Sequence, residues 1–229
     1  MTPSDEVEAA GWIGERLHRF AQDVGSVVPS GFEAYVRIFH PAWRLAGTKE
    51  VEVRWSDVAE WSGRTVHPEM QFHSISIPLP DRETRLQAYT FEPRAGVLPE
   101  RQARALVELL AGHTATPDVC WFCVWDGYAD VRGGRKRVRL LSREYILFKG
   151  PINDAPGQVN GPNLWWPDDR KWCVASEVDF PYTYVGGPEK LIEEILADAS
   201  LEALPAALQH GISAFSDTVN TEGFVGLEE

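Results

Sequence analysis

Five residues in one short run carry the densest chemistry in the chain. They are Trp165, Trp166, Asp168, Asp169 and Arg170, within Pro162-Asn-Leu-Trp-Trp-Pro-Asp-Asp-Arg-Lys-Trp172. Indole rings offer large flat contact area and one N–H donor each. Neighbouring carboxylates accept hydrogen bonds, and an arginine beside them can clamp a carboxylate or phosphate through its planar fork. Aromatic surface with a few donors and acceptors is what recognition sites are made of. The competing account is an aromatic-packed loop closed by a local Asp–Arg turn. The surrounding stretch, 150–171, is rich in Pro, Gly and Asn without periodicity, and structureless loops of that length are often functional. The expectation is that 162–172 lines the functional cleft; Glu177 and Asp179, on one face of a following strand, either extend its polar wall or, more simply, form a solvated strand face.

Cys120-Trp-Phe-Cys123 has the spacing of a redox pair or of half a zinc site. A redox pair needs its first thiol at a helix N-terminus, where the dipole lowers the pKa. Here Val119 and Val124-Trp125 flank the motif and read as strand. Alternation then sends the two thiols to opposite faces, where they neither bridge nor share a metal without a bulge. Buried, unpaired thiols are expected. His67-Pro-Glu69 followed by Pro117-Asp-Val-Cys120-x-x-Cys123 has the residue types and order of the zinc-deaminase signature. In that chemistry His and two Cys hold zinc, and the Glu moves protons to and from the metal-activated water. Two extra residues separate Pro117 from Cys120, and both halves lead into strand rather than helix. For His67 and His73, ordinary hydrogen bonding is the simpler account. Arg132, Arg135, Lys136, Arg137, Arg139 and Arg143 form a basic cluster. It fits a phosphate patch, or more simply a charged hairpin edge that blocks further strand pairing. The chain has no Walker loop, G-x-G-x-x-G, G-x-S-x-G or H-E-x-x-H.

The elements that must position these residues come from a chain of 229 residues, 44% apolar, enough to bury a sizeable core. No apolar run approaches the length of a membrane-spanning helix. The net charge of −12 disfavours nucleic acid and favours a basic partner. Acids near the N-terminus, with no basic start, predict no secretory signal and a cytoplasmic location. Three cysteines do not describe a disulfide framework.

Periodicity predicts a helix over 5–24, strands over 32–39 and about 51–55, and a short helix from Ser56 to Trp61 ended by Gly63. A strand follows from Ser74 to Leu79. Pro99 starts a helix that buries Leu106, Val107 and Leu110 and ends at Gly112. Strands over 119–125 and 137–149 flank Gly133-Gly134, a hairpin connection. A strand over 172–180 precedes a helix over 188–198 with Leu191, Ile192, Ile195 and Leu196 inward. Residues 204–216 read as helical, and the end from Thr221 as loose. Short connections between strands and interspersed helices define an α+β fold, a mainly antiparallel sheet with flanking helices. One domain spans 1–204, followed by a helical extension and tail over 205–229.

The run Leu164-Trp-Trp-Pro-Asp-Asp-Arg-Lys-Trp-Cys-Val-Ala-Ser-Glu-Val-Asp-Phe, with Thr183-Tyr-Val-Gly-Gly and Phe32-Glu-Ala-Tyr-Val-Arg-Ile-Phe-His-Pro41, resembles a family of uncharacterised bacterial cytoplasmic proteins over most of 30–204. In its order of elements and aromatic content the chain is also similar to the superfamily of small α+β immunity and scaffold proteins (Smi1/Knr4-like). That resemblance implies a protein that binds partners without catalysis. The expected function is therefore binding of a protein partner or small ligand, with no cofactor. The alternative is a metal-dependent hydrolase of the zinc-deaminase type using His67, Glu69, Cys120 and Cys123.

Overall fold

The computed structural model describes residues 1–82, 87–128 and 136–221. Its strands are β1 (Thr2–Pro3), β2 (Ala34–Phe39), β3 (Ala42–Ala46), β4 (Lys49–Val53), β5 (Cys120–Trp125), β6 (Val138–Leu140), β7 (Arg143–Gly150), β8 (Leu164–Pro167), β9 (Cys173–Ala175), β10 (Tyr182–Gly187) and β11 (Ala203–Ala206). Its α-helices are α1 (Gly11–Gly14), α2 (Trp55–Ser62), α3 (Phe72–Ile75), α4 (Glu100–Ala111) and α5 (Glu189–Ala197). Nine strands form one sheet in the order β1-β7-β5-β8-β9-β10-β2-β11, with β6 added on β7. β3 and β4 make a separate hairpin, and every pairing is antiparallel. The α+β class with a mainly antiparallel sheet is thus as the sequence predicts. No helix among the described residues is long and apolar enough to cross a membrane.

The central strands are buried on both faces, so alternation sorts their side chains into two cores. On one face Phe122, Trp165, Val174, Val185, Val36 and Ile38 lie under α4 and α5. The helices complete that core with Leu106, Val107 and Leu110, and with Leu191, Ile192 and Ile195. The opposite face carries Trp121, Leu164, Trp166, Tyr182, Tyr184, Tyr35 and Phe39, covered by α1, α2, α3 and the chain ends. Both helices of the first face start after a proline, Pro99 and Pro188, whose missing N–H costs nothing there. α2 draws its cap from far away: the Glu202 carboxylate accepts from Trp55 N and Ser56 N, at 2.7 Å each. Gly63, with φ of 79°, provides its left-handed stop.

On the second face Arg37 is 1% exposed in the middle of β2. Its Nη1 donates to the carbonyls of Pro68 (2.8 Å) and Met70 (3.0 Å), and its guanidinium lies 3.7 Å from the Tyr182 ring centroid. Carbonyl acceptors and aromatic faces thus replace a carboxylate as its counter-charge, and segment 67–71 is pinned to the sheet.

Five expected elements differ, and one of them, the strand over 137–149, is a hairpin of β6 and β7 that turns at Leu141, whose φ is 52°. The helix over 5–24 is reduced to a 3-10 turn (Val7–Ala10) and α1, because Gly11 and Gly14 weaken it and Ala21 adopts a positive φ. Trp12, Ile13 and Val24 still enter the core, while Phe20 is 53% exposed. The strand over 74–79 is instead α3 followed by a turn, because Ser62 Oγ donates to the Ile75 carbonyl and Phe72 packs edge-on to Trp55. A run that short has no period of its own to resist tertiary contacts. The strand over 172–180 stops at Ala175. Residues 204–216 are not helical: β11 pairs with β2 at the sheet edge, where Pro205 is tolerated and a helix interior would not accept it. The Gly133-Gly134 connection, Arg132, Arg135 and residues 222–229 lie outside the described residues.

Ile195 is fully buried between α5 and the sheet. Ile195→Ala should lower stability by about 2–5 kcal/mol in urea unfolding. A change under about 0.5 kcal/mol, the size of a surface effect, would show that this face of α5 does not pack on the sheet.

Candidate functional site

The expected cleft is not one site. Its first part is a strand, β8, in the middle of the sheet, so Trp165 and Trp166 point to opposite cores and are 3% and 1% exposed. Trp165 packs with Phe122 and Trp172, and Trp166 packs with Trp12. Asp168 Oδ1 accepts from Trp121 Nε1 at 2.9 Å. Asp169 accepts from Thr114 Oγ1 (2.9 Å) and Ala115 N (2.8 Å), closing two loops together. Arg170 turns the chain with φ of 56° and lies over Trp12, 5.6 Å from the ring centroid. Asp168, Asp169 and Arg170 therefore form an anchored turn, and only Trp165 of the five reaches a cavity. Glu177 and Asp179 both pair with Arg143. Of the rest of the basic cluster, Lys136 reaches Glu8, Arg137 pairs with Asp126 and Arg139 with Glu144.

The zinc-deaminase set is not assembled either. Cys120 lies in the core under α4 and α5, Cys123 in the opposite core. His67 Nε2 contacts Asp217 Oδ1 at 2.8 Å, and Glu69 Oε1 accepts from Gly211 N at 2.8 Å, so both clamp the C-terminal segment. Burial opposes ionisation of Asp217, but hydrogen bonds from Asn220, Gln71 and His67 outweigh it and hold its carboxyl low. Among the described residues no group of three or more His, Cys, Asp or Glu is placed to hold a metal ion. Burial pushes all three thiols up, that of Cys120 to about 12 with Asp169, Asp118 and Asp168 adding to it.

The structure assembles a different site. A cavity of about 530 Å³ opens on the helix-covered face of the sheet. Trp165 and Ser176 come from the sheet, Gln102 from the first turns of α4, and Trp43 and Glu52 from the β3–β4 hairpin. The loops 94–98 and 155–162 complete the wall, and the second of these belongs to the stretch whose composition marks it as functional. Two buried polar atoms on this wall have no partner: Trp43 Nε1 and Gln102 Oε1. Gln102 is 4% exposed, and its amide nitrogen donates to Glu52 Oε2 at 3.0 Å. Arg101 pairs with the same oxygen.

Behind Ser176 runs a buried chain of hydrogen bonds. Ser176 Oγ lies 2.7 Å from Thr183 Oγ1, which lies 2.9 Å from His40 Nε2. His40 Nδ1 meets the Arg94 carbonyl at 2.8 Å. His40 is fully buried, which pushes its imidazole down to about 4 although the Arg94 carbonyl favours the charged form. Asn163, 4% exposed, braces the same region: its Oδ1 accepts from Trp125 N at 2.8 Å, and its Nδ2 donates to the carbonyls of Ser176 and Gly96.

Sequence reasoning passes over Trp43, Glu52, Gln102, Ser176 and His40. One signal was present: Gln102 stands four residues before Leu106 on the apolar stripe of α4, where a polar residue must find a partner or a purpose. No family model, curated protein or solved structure matches this chain.

Two outcomes follow from the buried groups. Cys120, Cys123 and Cys173 should resist a thiol reagent in the native state and all react on unfolding; fast native labelling of any one would contradict the burial. His40 titrates lower when folded than the usual 6.5. Between those values the unfolded chain binds a proton that the folded chain does not, so stability falls as pH drops from 6.5 towards 4. The histidine's share is about 3 kcal/mol. It is measured as the difference in pH dependence between wild type and His40→Gln, and parallel curves would show that His40 is not held neutral.

Proposed function

We propose that the protein binds a small organic ligand in the cavity between α4, the β3–β4 hairpin and the sheet, and does not transform it. One observation carries this reading: a buried donor, Trp43 Nε1, and a buried acceptor, Gln102 Oε1, both unpaired, stand on the wall of the same cavity. Each such group costs on the order of 1–3 kcal/mol if nothing satisfies it. A ligand that supplies both partners recovers that cost on binding. The cavity's size falls in the range of small-molecule sites, and its wall combines indole surface with polar and charged side chains.

The arrangement around Ser176 supports binding over catalysis. A nucleophilic serine works in direct contact with its base, and the base is oriented by a third group. Here Thr183 stands between Ser176 and His40, and a carbonyl rather than a carboxylate lies behind the imidazole. The resemblance to partner-binding immunity and scaffold proteins points the same way.

The test is a fragment screen read on the indole N–H resonance of Trp43, assigned with Trp43→Phe. Binders should shift that resonance, and Gln102→Leu, which keeps the helix and the volume, should weaken them about tenfold. Fragments that bind while leaving Trp43 unmoved, or that bind Gln102→Leu equally well, would place the ligand site elsewhere.

A further inference from the structure

The direction of the buried hydrogen-bond chain limits what the cavity can receive. The Arg94 carbonyl can only accept, so the proton of the neutral His40 ring sits on Nδ1. Nε2 then offers a lone pair, and the Thr183 hydroxyl must donate to it. That hydroxyl has one proton, so the Ser176 hydroxyl must donate in turn to Thr183. The N–H and the carbonyl of Ser176 are both taken by Asn163. All that Ser176 can still offer on the cavity wall is a lone pair.

The neighbouring groups have the same polarity. Gln102 gives one amide proton to Glu52 and keeps its carbonyl oxygen unpaired. Glu52 takes Arg101 and Gln102 on a single oxygen, and a carboxylate has lone pairs to spare. Among the described residues the unpaired buried atoms of this wall are one acceptor, Gln102 Oε1, and one donor, Trp43 Nε1, and the spare lone pairs of Ser176 and Glu52 tip the balance towards acceptors. The indoles of Trp43 and Trp165 line the same cavity, and an indole ring attracts a cation over its face. The whole chain, at −12, draws cations towards it. Two arginines line the cavity: Arg101 is paired with Glu52, and Arg94 is solvent-exposed.

Building on the small-ligand reading, we propose that the ligand is a small organic cation, an ammonium or guanidinium on an apolar body. Its N–H donors meet Gln102, Ser176 and Glu52, and its body lies against Trp43 and Trp165.

The experiment titrates the full chain calorimetrically with probes matched in body and differing in charge. Tryptamine, N-acetyltryptamine and indole-3-propionate form one set, and phenethylamine and 3-phenylpropionate a second; agmatine represents the guanidinium class. At least one amine or agmatine should bind, and any amine that binds should do so about tenfold or more tightly than its neutral or anionic counterpart. Gln102→Leu and Ser176→Ala should each weaken the binding cation about tenfold, with a single cooperative melting transition as the check that both fold. Carboxylates or the N-acetyl compound binding as well as the amines, with Trp43 shifted, would overturn the cationic class and leave the cavity reading standing. Absence of binding by every cation at millimolar concentration would also overturn the class. If, in addition, no fragment of any charge moves the Trp43 resonance, the cavity reading itself falls.

Discussion

A sheet buried on both faces is the constraint on which the rest of this protein depends. Strands β5, β8, β9, β10 and β2 have core above and below, so no side chain on them is free to face water. Every residue there is assigned to one of two interiors by its parity alone. Cys120 and Cys123 are separated by that rule, as are Trp165 and Trp166. The same rule brings Asn163, Trp165, Ser176, Thr183 and His40 to one face, under the helices, where the polar members need partners because no water reaches them.

The protein meets that need in two ways. Arg37, on the aromatic face, uses two carbonyls and the rings of Tyr182 and Phe39. On the helix face, hydroxyl, hydroxyl and imidazole satisfy one another in a chain that ends on the Arg94 carbonyl. Such a chain polarises its members in one direction, and the direction is imposed by its carbonyl end. Some buried atoms stay unpaired among the described residues, Arg37 Nε and Nη2 and Trp12 Nε1 among them, and Trp43 Nε1 and Gln102 Oε1 are the two whose residues line the cavity beside α4.

The segments that close the aromatic face explain why residues that look like chemistry are architecture. His67 and Glu69 hold Asp217 and Gly211, fastening the end of the described chain over Arg37 and the tyrosines. Asp168 and Asp169 anchor the turn after β8 to β5 and to the loop after α4. Hydrogen bonds to an ionised carboxylate are shorter and stronger than neutral ones, which suits these acids to fixing a loop.

The sequence by itself determined the α+β class, the antiparallel sheet, helices α4 and α5 with all their expected inward residues except Leu196, which is 37% exposed, and the opposite facing of the two thiols of C-x-x-C. These follow from local rules: period 3.6 or 2, proline at a helix start, and glycine at its end. Only the tertiary structure decided that Leu164–Pro167 is a central strand and not a recognition loop, since four residues between prolines carry no period and gain their order from pairing with β5 and β9. It also decided that 204–206 extends the sheet, although Pro205 already argued against a helix there. The candidate site was least legible of all. Trp43, Glu52, Gln102, Ser176 and His40 are spread over more than 130 positions and share no motif. They meet because a hairpin, a helix start and a sheet face converge, and the unpaired buried atoms of Trp43 and Gln102 come together only through that convergence.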